Sequence, residues 1–260
     1  MNSRGREAAA IFLALVAAGA ALQPVAGPVR VALGPTVSAG RVIRRDALVG
    51  RSVSVAVLGG FRALAADLLW LETYLAWAAG DQAATQALIR LVTSVDERPE
   101  SFWLNGARMM AYDVAQWRIA AADRTGEPLA AVRRRIREEQ AGAALDLLAE
   151  AQRWHPRSAA ICIEMANLEL FGRTDLAAAA RWYRTAAEMP RAPHCAARIY
   201  GELLRRQGCR AEAYAWLRHL HPHLPRGDPE AMPDVVLARI RDLEDQLAIP
   251  EANRYAPPGD

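Results

Sequence analysis

Residues 155–190 read HPRSAAICIEMANLELFGRTDLAAAARWYRTAAEMP, and residues 191–225 read RAPHCAARIYGELLRRQGCRAEAYAWLRHLHPHLP. Pro156, Pro190 and Pro225 close successive units 34 and 35 residues apart. Ala144, Ala179 and Ala213 recur at nearly the same period, and each is followed four residues later by a large apolar residue, Leu148, Tyr183 or Leu217. A fixed period of this length marks stacked helical hairpins, because one hairpin cannot bury its apolar face without a neighbour. The expectation is an all-α solenoid of about four hairpins, over 61–99, 100–156, 157–190 and 191–225.

Within this stretch, the helices 157–171 and 175–188 form one hairpin and 193–207 and 210–220 the next. Ala166, Ala179, Ala186, Gly201 and Ala213 are small residues that let helices approach closely, and Gly208 marks a turn. Downstream, Val236, Ile240, Leu243 and Leu247 fall on one stripe, with Arg239, Asp242, Glu244 and Asp245 opposite. One-sided amphipathicity at the end of an array predicts a capping helix within 226–260. Beyond it, 253–260 reads as a frayed polar tail.

Upstream, the hairpin 100–156 is longer than its successors, and the surplus lies around 125–138. Its Arg-rich stretch pairs Arg134 with Glu138 and Arg135 with Glu139 at i,i+4, which predicts a self-neutralised solvated face. Phe61 opens a helix with Leu64, Leu68, Leu71 and Leu75 at spacings of three and four, Gly80-Asp81 ends it, and a return helix carries Leu88, Leu91, Val92 and Val95 inward.

Composition narrows the chemistry. The chain has no Lys, which removes Schiff-base chemistry and any P-loop lysine. A net charge of +3 with Arg interleaved among Glu and Asp lacks the clustered basic face of a nucleic-acid binder. Cys162, Cys195 and Cys209 show no CxxC spacing. They read as small apolar residues, with a Cys195–Cys209 pair open if the compartment oxidises.

Residues 8–22 are small and apolar throughout and follow Arg4 and Arg6, the layout of a signal peptide or signal anchor. Either reading exports the body of the protein, as a single-pass inner-membrane protein with the repeats outside the cytoplasm or as a periplasmic or secreted one. Residues 23–60, rich in Pro, Gly, Val and Ser, read as a linker with extended pieces at 41–45 and 52–58.

With Trp103, Gly106-Ala107, Ala144, Leu148, Ala151 and Pro156 in one unit, Ala166, Ala179, Tyr183, Ala186 and Pro190 in the next, and Gly201, Leu204, Gly208, Ala213, Leu217 and Pro225 in the last, the units resemble tetratricopeptide repeats. Departures are Cys162 and Ala197 where a large aromatic is usual, Thr174 where Gly closes the turn, and Thr85 where Ala is expected. From Gly59 to Pro225, including GFRALAADLLW at 60–70, the chain also looks like bacterial membrane-anchored repeat proteins. The resemblance implies a non-enzymatic scaffold that binds a peptide or helix of an envelope partner along the first helix of each hairpin. It implies no cofactor and no small-molecule substrate.

Outward positions on those first helices are Asp67, Glu72 and Tyr74, then Asn105, Arg108 and Tyr112, then Glu164, Asn167 and Glu169, then Arg198 and Arg205. Asp67, set among Ala65, Ala66, Leu68 and Leu69, reads as half-buried and tied to Arg62 or Arg90. His219, His221 and His223 alternate, with His194 and Cys209 nearby in sequence, which raises a rival reading as a metal-dependent or hydrolytic accessory enzyme. Alternation aligns three imidazoles only on an extended segment, whereas this one lies at a helix end before Pro222 and Pro225.

Overall fold

The computed structural model describes residues 60–125, 129–228 and 230–257. The apolar run 8–22 and nearly all of the linker lie outside them, and no helix among the described residues is long and apolar enough to cross a membrane. Every described regular element is helical. The chain divides into two compact units: Met1–Glu72 with Leu91–Asp96, and Thr73–Arg90 with Glu97–Asp260.

In the first unit the described residues are the start of α1 (Arg62–Ala78) and the end of α2 (Gln82–Val95). Leucine spacing locates α1 but does not identify its inner face. Ala66 and Leu69 are buried, while Leu64, Leu68 and Leu71 are exposed. Val92 and Val95 are buried as expected from α2's pattern. Asp67 is exposed rather than half-buried. Arg62 instead reaches the buried Asp96, Nε to Oδ1 at 3.6 Å. Ala66 and Leu69 take the interior face, the small alanine allowing close approach there, which leaves Leu64, Leu68 and Leu71 outside.

From Glu100 onward the second unit is a succession of helices packed on their chain neighbours. Gly80, at φ +68, makes the left-handed turn into α2, and Asp81 Oδ1 caps that helix by accepting from the Ala84 amide at 2.9 Å. The long first arm of the next hairpin comprises α3 (Glu100–Arg108), a π-helical turn π1 (Met109–Val114) and α4 (Ala115–Thr125). It lies along α5 (Leu129–Trp154). Pro99 stands at the N-cap of α3. The Glu97 carbonyl just before it accepts from Trp103 Nε1 at 2.9 Å and from His155 Nε2 at 3.0 Å, which ties the two ends of this hairpin together. Gly106 is required here: a Cβ would fall 2.6 Å from Ile89 Cγ2. The overhang has its own small core, in which Ala115, Ile119 and Ile136 pack with Ala122 and Val132. Arg134–Glu138 and Arg135–Glu139 form the ion pairs expected on its surface, at 4.0 and 3.7 Å.

Next come α6 (Ala159–Asn167), a second π turn, π2 (Leu168–Arg173), and α7 (Leu176–Ala187). Ser158 and Asp175 cap α6 and α7, accepting from the Ile161 and Ala178 amides at 3.1 and 2.8 Å. Thr174 turns the chain between them at φ +60, in the place of the absent glycine. Helices α8 (His194–Arg206) and α9 (Arg210–Leu220) follow, with Gly208 at φ +83 between them. Gly201 lies so near α9 that a Cβ would meet Leu217 Cδ2 at 2.5 Å. One apolar core runs through these helices, from Cys162 and Ala166 through Tyr183, Leu203 and Leu217 to Ile240 and Leu243 of α10 (Pro233–Gln246).

Two expectations at the C-terminus fail. Glu244 is fully buried rather than solvated. Its Oε1 accepts from the Tyr214 hydroxyl at 3.2 Å and the Tyr255 amide at 2.6 Å, and its Oε2 accepts from Arg241 at 2.7 Å. Burial pushes its pKa up, but Arg241, the Tyr255 amide and Tyr214 outweigh that and hold the carboxyl below its usual range. The tail is consequently held as far as Tyr255, whose ring also packs edge-on against His221 at 5.5 Å.

Candidate functional site

The first arms of two successive hairpins, α3 with π1 and α6 with π2, bring together four residues that the sequence places outward: Arg108, Tyr112, Glu164 and Asn167. Arg108 sits one residue before π1 and Tyr112 within it; Glu164 and Asn167 lie on the last turn of α6, just before π2. Arg108 Nε and Nη2 both donate to Glu164 Oε2, at 2.8 and 2.7 Å. The pair is asymmetric, since the Glu164 side chain is 4% exposed and that of Arg108 52%. Glu164 is therefore not the surface residue expected, and it is buried only with a cation laid across it. Glu169 is also buried, with Arg173 Nη1 3.4 Å from its Oε1.

Asn167 Oδ1 accepts from the Tyr183 hydroxyl at 2.5 Å. Burial drives the Tyr183 pKa up to about 12, helped by Cys195, Glu164 and Tyr112. Burial likewise raises that of Tyr112; Glu164 adds to the rise and Arg108 opposes it. Both phenols thus stay protonated at neutral pH, and that of Tyr183 acts as a hydrogen-bond donor rather than a base.

Tyr112 also borders a cavity of about 370 Å³ between the two π turns, lined by Ile119, Ala141, Leu168, Phe171 and Gly172 among others. That volume lies at the lower end for ligand sites, enough for one or two apolar side chains. Two sequence details shape it. Gly172 has Ala141 so close that a Cβ would meet the alanine Cβ at 2.4 Å, which draws π2 onto α5. Phe171 at the rim is 68% exposed. Where π1 interrupts the helix ladder, Gln140 of α5 has its amide nitrogen 3.1 Å from the Met110 carbonyl and its oxygen 2.7 Å from Arg118 Nη1, in the amide orientation that satisfies both.

The remaining positions are dispersed. Asn105 is half-buried on α3. Tyr74 is exposed and meets Trp77 edge-to-face at 6.4 Å, and Glu72 is half-buried. Arg205 pairs with Glu202 at 2.6 Å, while Arg198 Nη2 reaches the Glu230 carbonyl at 3.4 Å. The three histidines do not converge: the His219 and His223 rings lie 5.2 Å apart, while His221 turns to Tyr255. His223 Nδ1 donates to the His219 carbonyl at 2.9 Å, and His221 Nδ1 lies 3.0 Å from the Tyr255 hydroxyl. Among the described residues no group of three His, Cys, Asp or Glu is placed to hold a metal ion. The three cysteines are free thiols.

Sequence reasoning missed Tyr183, Phe171 and Ala141. Tyr183 occupies a core position of its repeat, and only its hydroxyl, which a buried tyrosine must satisfy, signalled a polar role. No family model matches the chain, and no curated protein matches it.

Proposed function

We propose that the chain is a non-enzymatic protein-interaction scaffold of the tetratricopeptide type. It binds a peptide or helix of an envelope partner across α3–π1 and α6–π2, with Tyr112 at the centre. The observation that supports this most is the pairing of a hydrogen-bonded polar cluster with an open, largely apolar cavity at Tyr112, supplied by two consecutive repeats. An apolar slot for an anchoring side chain, with fixed donors beside it, is how such grooves select extended or helical ligands. The resemblance in sequence supports tethering through residues 8–22, with the repeats outside the cytoplasm.

A photo-crosslinking amino acid placed at Phe171 in the full chain, in cells, should give one discrete adduct, while the same group at the exposed Thr185 of α7 gives none. No adduct at Phe171, or identical adducts from both positions, refutes the binding face. Protease treatment of spheroplasts tests the compartment, and full protection of the repeats rules out export.

A further inference from the structure

The outer face of α1 carries a row of exposed apolar side chains. Phe61, Leu64, Leu68 and Leu71 are 55, 44, 54 and 60% exposed. Their spacings of three, four and three are those of alternating a and d positions, with Phe61 and Leu68 at a and Leu64 and Leu71 at d. Ala66, opposite the stripe, is fully buried, so the helix points this seam away from its own core. Over Phe61–Leu71 the exposed large apolar residues fall only at a and d, a stripe narrower than the face a helix uses against a globular core and suited to one facing helix. The seam is bordered on one side by Asp67, at g, and on the other by Glu72, at e. Arg62, at b, is turned to Asp96.

These flanks select the occupant. In a parallel pair of two copies, g faces e of the partner and Asp67 meets Glu72. In an antiparallel pair, g faces g and e faces e, and acid again meets acid. A second copy is therefore disfavoured, and an anionic lipid surface meets the same two carboxylates. We propose that Phe61, Leu64, Leu68 and Leu71 form a docking seam for a helix of another protein that carries leucine-type a and d residues and basic residues at its e and g positions. The seam goes beyond the face at Tyr112, and different substitutions probe the two, so either can fail alone.

The test uses the full chain and two labelled synthetic 21-residue helical peptides, both with Leu at a and d, one with Lys and one with Glu at e and g. Fluorescence anisotropy should show the Lys peptide binding at least about tenfold more tightly than the Glu peptide. Asp67→Arg with Glu72→Arg should reverse the preference, and Leu68→Asp should abolish binding of both while circular dichroism stays unchanged. Equal binding of the two peptides overturns the proposal, as does binding of neither, the result expected if residues 1–59 of the same chain occupy the seam. Self-association of the full chain that Leu68→Asp abolishes overturns it as well, in favour of a second copy.

Discussion

The Arg108–Glu164 pair makes an unequal prediction from an equal-looking contact. Replacing Arg108 with Met leaves a carboxylate that is 4% exposed without its cation. Stranding a buried charge costs about 3–5 kcal/mol. Replacing Glu164 with Gln instead leaves Arg108, whose side chain is 52% exposed, to be solvated by water. The loss is then that of a charge-assisted hydrogen bond with its donor still hydrated, on the order of 1–1.5 kcal/mol. For a chain of this size 1 kcal/mol moves the melting temperature by about 2–4 °C. Arg108→Met should therefore lower it by roughly 6–20 °C and Glu164→Gln by roughly 2–6 °C. The double variant should recover most of the Arg108→Met deficit, because the stranded charge is gone. Thermal unfolding and urea titration followed by circular dichroism read all three. If Glu164→Gln costs as much as Arg108→Met, or the double variant is no better than Arg108→Met alone, the burial argument is wrong and the pair is an ordinary surface bridge.

Three further outcomes are expected. Glu164 raises the pKa of both Tyr112 and Tyr183, so Glu164→Gln should move part of the phenolate absorbance titration to lower pH; an unchanged titration shows that the carboxylate does not act on these rings. Thr174 holds φ +60, a left-handed conformation costing a β-branched residue about 1–2 kcal/mol, and Thr174→Gly should stabilise the protein by up to about 1 kcal/mol after glycine's greater unfolded entropy is deducted; urea unfolding measures it, and a loss of stability contradicts the strain. Glu244 has a folded pKa below its ordinary 4.5, so its contribution is complete above about that pH and is lost as pH falls through the lower folded value. The advantage of the wild type over Glu244→Gln, on the order of 2 kcal/mol at pH 7, should accordingly shrink below pH 4.5. An advantage that is flat with pH would mean Glu244 is not the ionised acceptor of Tyr255 and Arg241.

The period of alanines and prolines was enough to place helix pairs, because small residues at close helix approaches and prolines after helix ends are local requirements. Gly201, Gly106 and Ala213 sit where the spacing puts them. Which side of α1 faces inward was not legible. Leucine periodicity says that a stripe exists, and only tertiary packing decides that Ala66 rather than Leu68 is covered. The candidate site was legible for Arg108, Tyr112 and Asn167, which follow from position on a first helix, but not for the burial of Glu164, which depends on a cation 56 residues away in sequence. Both π turns are invisible to a periodicity of 3.6 residues per turn, and the cavity between them was hidden with them.

Each π turn also sets the phase of the helix beyond it. A helix that carries one extra residue through π1 delivers α4 at an angle that a regular α-helix of the same sequence would not reproduce. Straightening Met109–Val114 into a regular α-helix with every residue kept would rotate everything beyond by roughly 100°, the angle one residue turns. Ile119 would swing off Ile136, and Gln116 and Ile119 would leave the cavity wall. The arm is thus indexed like a key cut to one notch: a one-residue deletion that removes the π turn keeps the face beyond it in phase, whereas a change that straightens the turn at full length alters which face of the arm is presented at all.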